Sequence, residues 1–164
     1  MKKQDNKYAG AELSTIIRSA IIVGLLDGTA AVLHYLARGG QHPEKVFNFV
    51  ASGLFGKAGL SGGVLMVIAG IVLHLIIAGI WTFIFFGAYA RIEIMRRSRI
   101  LTGLLFGLLV WTIMTRVVLP LSRTPAIPFR WEPAITGALI LVIAIGLPLS
   151  FFANRAFKKA VADT

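Results

Sequence analysis

At 164 residues, 57% of them hydrophobic and with a mean hydropathy of +0.80, the chain is well above the ~45–50% apolar content of a soluble domain. Its net charge of +10 sits beside loops of roughly 25 residues at most, too short for a basic soluble element that would bind nucleic acid, so Lys and Arg read as flanks of membrane spans. It has no cysteine, which excludes disulfides, thiolate catalysis, iron–sulfur clusters and Cys-ligated zinc.

The amino terminus opens with Lys2 and Lys3 but stays polar through Glu12. The apolar run that follows is too long for a signal-peptide core, so it reads as a retained first span. Spans are predicted over 14–37, 62–90, 100–121 and 133–153, each near or above the ~20 residues that cross the hydrocarbon core as helix. The expected fold is therefore all-α: one domain, an integral membrane bundle of four transmembrane helices. Between the first two spans, Gly39 and Gly40 stop one helix and Pro43 and Glu44 suit the start of another. Val46, Phe47, Val50, Leu54 and Phe55 recur at helical spacing, which predicts a short amphipathic helix over 43–58 lying flat in the interface. The loop between spans 3 and 4 holds Pro125, Pro128 and Pro133 and should be irregular, with Phe129 and Trp131 in the interfacial aromatic belt.

Positive charge is uneven. Lys2, Lys3, Lys7 and Arg18 lie at the amino-terminal entry, Arg91, Arg96, Arg97 and Arg99 after span 2, and Arg155, Lys158 and Lys159 at the carboxyl end. The other two loops carry only Arg38, Lys45, Lys57, Arg123 and Arg130. The positive-inside rule then places both termini in the cytoplasm, as an even number of spans requires.

Small residues mark packing faces. Span 1 has Gly24, Gly28 and Ala31; span 2 has Gly70, His74 and Ala78; span 3 has Gly103 and Gly107, extended by Trp111 and Thr115; span 4 has Gly137 and Gly146. Such stripes serve packing within one bundle or an oligomer interface.

Four ionisable residues fall inside the spans: Asp27, His34, His74 and Arg116. Intramembrane charge is costly, so each is a candidate site residue. At 1.5 Å per residue, Asp27 lies about one residue from the middle of its span, His74 roughly 3 Å to the outer side, Arg116 roughly 8 Å and His34 roughly 12 Å. Asp27 and His74 thus share a depth on neighbouring helices and can pair. The pair is a proton relay or cation site, or else a polar clasp that fixes helix register. Arg116 can snorkel to the headgroups, pair with Asp27 or bind an anion. The two intramembrane histidines differ in depth by roughly 9 Å, which argues against a bis-His haem, and Asp27, His34 and His74 make a poor metal set. No catalytic motif is present, and no cofactor or metal is expected.

GLLDGTAAVLHYLA in span 1, HLIIAGIWTFIFFG in span 2 and GLLFGLLVWTIMTRVVLPL in span 3 resemble uncharacterised bacterial four-span inner-membrane proteins of the YagU-like group. The resemblance implies an inner-membrane location and a four-helix fold, and it carries no activity. Three functional expectations stand. One is a small oligomeric transporter or channel gated by Asp27 and His74. Another is an accessory or scaffold subunit of a larger membrane complex. The third is a membrane enzyme or lipid-binding protein acting through Arg116, Arg123 and Arg130.

Overall fold

The computed structural model describes residues 11–126, 128 and 130–162. Lys2, Lys3, Lys7 and Phe129 lie outside the described residues, as does the side chain of Lys159. The protein is an all-α integral membrane bundle. Its spanning helices are α1 (Leu13–Ala37), α4 (Val64–Arg91), α5 (Arg99–Leu121) and α6, which starts at Trp131. All four are long and apolar enough to cross a membrane. Between α1 and α4 lie α2 (Glu44–Phe55) and α3 (Lys57–Ser61).

Two of the spanning helices are not regular. A π turn at Met114–Val118 lies inside α5, and a second at Val142–Gly146 carries α6 from Trp131–Leu141 into Leu147–Ala162. Each π turn is followed after one residue by a proline, Pro120 or Pro148. A proline has no N–H, and its ring crowds the carbonyl four residues back. Here Leu119 and Leu147, directly before the prolines, bond back to the carbonyls of Met114 and Val142. The wider turn thus opens where the proline would otherwise break the ladder.

Close approach of backbones zips the helices in pairs. A Cβ at Gly24 would meet Ala78 Cβ at 3.2 Å, and one at Gly28 would meet His74 Nε2 at 3.2 Å, so α1 and α4 touch along the predicted stripes. A Cβ at Gly107 would meet the Val142 backbone N at 2.9 Å, and Gly103 and Gly146 face each other backbone to backbone. These stripes therefore serve packing within one chain.

The half of the bundle nearer the chain ends has a packed aromatic core. Phe85, Tyr89 and Leu149 are fully buried, with Phe106 and Phe157 nearly so. Phe85 meets Phe106 edge to face at 4.6 Å between ring centres, and Tyr89 meets Phe157 at 5.4 Å. The Tyr89 hydroxyl accepts a hydrogen bond from Asn154 Nδ2 at 3.0 Å. At the same end, the carbonyls that finish α4 are met by Arg96, which donates to Tyr89 O and Ala90 O.

The segment between α1 and α4 contains the short helix expected over 43–58, formed at Glu44–Phe55, and adds α3 to it. It is a helical hairpin packed on α4. Asn48 Nδ2 donates to the carbonyls of Leu60 and Gly62, at 3.4 and 3.0 Å, which folds α3 back against α2. The Phe47 carbonyl rests on Gly70, whose lack of a side chain permits the contact. The buried face is Asn48, Ala51 and Ser52, whereas Leu54 and Phe55 are 52% and 42% exposed. Val46, Phe47 and Val50 of the expected stripe are half-buried and Glu44 and Lys45 are exposed, so the stripe faces the bundle except at its Leu54 and Phe55 end. Asn48 and Ser52 turn inward with it, to backbone carbonyl partners.

Candidate functional site

Asp27 and His74 meet at the centre of the α1–α4 seam. Gly24 and Gly28 strip one face of α1, and His74 lies against it. His74 Nε2 is 2.9 Å from the Gly24 carbonyl oxygen. A carbonyl only accepts, so Nε2 carries a proton and donates it. Asp27 Oδ2 lies 3.9 Å from the same nitrogen. The expected pair is therefore assembled, but at ion-pair distance rather than as a hydrogen bond, because a closer backbone carbonyl takes the donor. The Phe47 ring closes over the imidazole edge to face, 6.2 Å between centres.

Both side chains border a partly enclosed cavity of about 210 Å³. Its floor is the top of the aromatic core, with Trp81, Val110 and Ile145. The π turn of α5 adds Met114 and Val118 to the lining, with Leu119 beside them and Leu141 from α6. The roof is α2, through Phe49, Val50 and Gly53, together with Ser122 and Thr124 from the loop after α5. Two contacts pin this roof. Thr124 Oγ1 donates to Ser52 Oγ at 3.1 Å, the Ser52 proton being given to the Phe49 carbonyl, and the Arg123 backbone N–H donates to the Gly53 carbonyl at 3.0 Å.

The lining is apolar except at two places. Ser122 and Thr124 mark the roof, and the Ser122 hydroxyl already donates to the Leu119 carbonyl at 2.7 Å. Asp27 and His74 mark the wall, with side chains 13% and 16% exposed. Among the described residues, no hydrogen-bond donor is in range of the Asp27 carboxylate. A carboxylate held in such surroundings is stabilised by whatever the cavity brings to it: a proton, water or a cation.

The other two candidates lie elsewhere. His34 is half-buried near the opposite end of α1 from the chain ends, with Nε2 3.4 Å from Thr136 Oγ1 on α6. One turn further, Arg38 donates to Glu132 at 2.6 Å, and this bond pushes the guanidinium pKa still higher. Together these contacts tie α1 to α6. Arg116 is exposed on the outside of its π turn and does not line the cavity. Asp27, His34 and His74 do not converge, and among the described residues no three His, Cys, Asp or Glu side chains group to hold a metal. His42 pairs with Glu44 at 3.1 Å on the surface.

Sequence reasoning finds the Asp27–His74 pair but misses the roof and the π turns. Their signals are present in the Leu119-Pro120 and Leu147-Pro148 pairs and in the hydroxyls of Ser52, Ser122 and Thr124. No protein-family model matches the chain, and neither a curated protein nor a solved structure is significantly similar to it. The functional reading therefore rests on the chain's own geometry.

Proposed function

We propose that the protein is a small transporter or channel of the bacterial inner membrane, with both termini cytoplasmic, in which Asp27 and His74 form a protonatable gate. One observation supports it above the others. The Asp27 carboxylate borders a cavity at mid-bundle and has no hydrogen-bond donor among the described residues. A purely structural carboxylate in a membrane is expected to have its donors built in. The π turn of α5 that adds to the lining fits the same reading, since such turns concentrate at functional sites. Four helices enclose little space for a path, so the working unit is an oligomer in the bilayer.

The test is reconstitution into liposomes with a trapped pH dye under an imposed potassium diffusion potential. The intact protein raises cation or proton flux well above that of empty vesicles. Asp27→Asn keeps the monodisperse bundle and loses that flux by at least tenfold. Equal flux from protein-free liposomes, or from Asp27→Asn, removes the proposal. Topology is checked by carboxyl-terminal fusions, fluorescent only in the cytoplasm or phosphatase-active only outside it.

A second reading has its own support. The hydrogen bond from His74 to the Gly24 carbonyl is what a helix clasp makes, as in an accessory or scaffold subunit of a larger membrane complex. Under that reading Asp27→Asn changes neither flux nor assembly, whereas His74→Leu lowers the amount of the complex recovered with its partners.

A further inference from the structure

We propose that the cavity binds one small, mainly apolar organic monocation, an alkyl- or arylammonium, with its nitrogen at Asp27 and its carbon body on the floor at Trp81, Val110 and Ile145. The inference rests on the transport reading for its consequence and names the substrate class, although its first measurement is binding alone.

Charge sets the sign. Asp27 is the anionic group in the lining, and no Lys or Arg lines the cavity. An anion would face the Asp27 carboxylate across an apolar space with no Lys or Arg to meet it. Ligand number excludes the hard metal ions. Calcium takes 6–8 oxygens, and magnesium needs near-octahedral oxygen geometry. The wall offers one carboxylate, and the Ser122 and Thr124 hydroxyls lie in the roof, already joined to protein partners. An ammonium needs far less: one carboxylate within reach of its nitrogen, and an apolar surface for its carbon body. The Trp81 indole lines the floor, held edge to face against Phe106 with ring centres 6.0 Å apart.

Size sets the body. An apolar cavity of ~150 Å³ is enough to hold benzene. About 210 Å³ therefore takes a benzene-sized group with a short charged arm. An inorganic cation would leave most of this apolar wall facing water. Shape agrees with chemistry, because the polar pair lies on one wall and the apolar floor lies beside it.

The experiment uses the full chain in lipid nanodiscs and three probes of similar shape: 2-phenylethylammonium, the neutral 2-phenylethanol and the anion phenylacetate. Binding is read by calorimetry and by the tryptophan fluorescence. The ammonium binds saturably at one site per chain, at least tenfold tighter than the alcohol, and phenylacetate does not bind. Asp27→Asn removes that tenfold preference. Val110→Phe, which fills the floor and leaves the carboxylate in place, weakens the ammonium by at least tenfold and serves if Asp27→Asn does not fold. No saturable ammonium binding, equal binding of ammonium and alcohol, or an ammonium preference that survives Asp27→Asn overturns the proposal. Proteoliposome flux separates this inference from its parent. Asp27-dependent proton flux without ammonium binding sinks the substrate class alone. Asp27-dependent ammonium binding without flux of any cation sinks the transport reading and keeps the site.

Discussion

The same four helices build two unlike halves. Near the chain ends, Phe85, Tyr89, Phe106, Leu149 and Phe157 fill the bundle to contact, and polar atoms such as the Tyr89 hydroxyl have protein partners. Beyond Trp81 and Val110 the helices separate around about 210 Å³, and a carboxylate borders the gap. The difference starts in the backbone. In the packed half, α5 and α6 meet as regular helices, and Ser150 Oγ donates to the Arg99 carbonyl at 2.7 Å. In the open half, α5 widens into its π turn before Pro120, whereas the π turn of α6 lies at the joint, backbone to backbone with Gly103 and Gly107. One half holds the bundle together so that the other can keep a void, which in a close-packed interior is otherwise lost to collapse.

The largest expected effect comes from the joint between the halves. Gly146 belongs to a π turn and faces the Gly103 backbone, so Gly146→Val puts methyl groups where main chain lies. Overpacking a core costs ~1–3 kcal/mol when side chains can yield. Here main chain would have to move, so the variant is expected not to assemble, seen as loss of monodisperse protein on size exclusion. Next is the packed half. Phe85→Ala leaves a void among Tyr89, Phe86 and Phe106. In lipid the water-transfer part of the cost falls away and the lost packing remains, so the lower end of ~3–5 kcal/mol is expected. A thermal melt in detergent should fall by several degrees, with the Asp27 cavity and its ligand binding retained. If binding disappears with it, the halves are not separable as drawn.

How much of this was legible in the residues differs between the halves. The four spans, the α1–α4 stripe and the meeting of Asp27 with His74 follow from length, helical spacing and rise per residue, because those are one-dimensional properties of helices. The hairpin at 44–61 does not follow. The stripe fits at Val46, Phe47 and Val50, but the fold-back through Asn48 onto Leu60 and Gly62, which leaves Leu54 and Phe55 exposed, has no periodic signal. The cavity is also invisible to periodicity. A π turn shifts the register of the residues that follow it, and the apolar pattern marks neither turn. Arg116 is exposed and does not line the cavity.

Pro148→Ala tests whether proline holds the void open. An interior proline costs ~3 kcal/mol against alanine in a regular helix, but the π turn already accommodates much of that. The alanine variant is expected to gain about 1 kcal/mol and to draw the Ile145 side of the cavity inward as the π turn relaxes to α. A higher melting temperature with weaker Asp27-dependent flux supports the comparison. A higher melting temperature with unchanged flux means the void does not depend on that turn.

The smallest effect concerns the roof. Ser52 is fully buried, and its hydroxyl bridges the Phe49 carbonyl at 2.7 Å and Thr124 Oγ1 at 3.1 Å. Ser52→Ala removes the side-chain link between α2 and the loop after α5 and keeps the Arg123–Gly53 backbone bond. A net hydrogen bond of this kind is worth ~0.5–1.5 kcal/mol. In a chain of 164 residues a loss of about 1 kcal/mol moves the melting midpoint by roughly 2–4 °C. Amide hydrogen exchange is the sharper readout. If the roof is an independent cover over the void, exchange should quicken in 44–61 and 122–124 and stay unchanged around Phe85 and Tyr89. Equal quickening in the aromatic half would mean that roof and core open together, and the bundle would then be one cooperative unit rather than a rigid half supporting a hollow one.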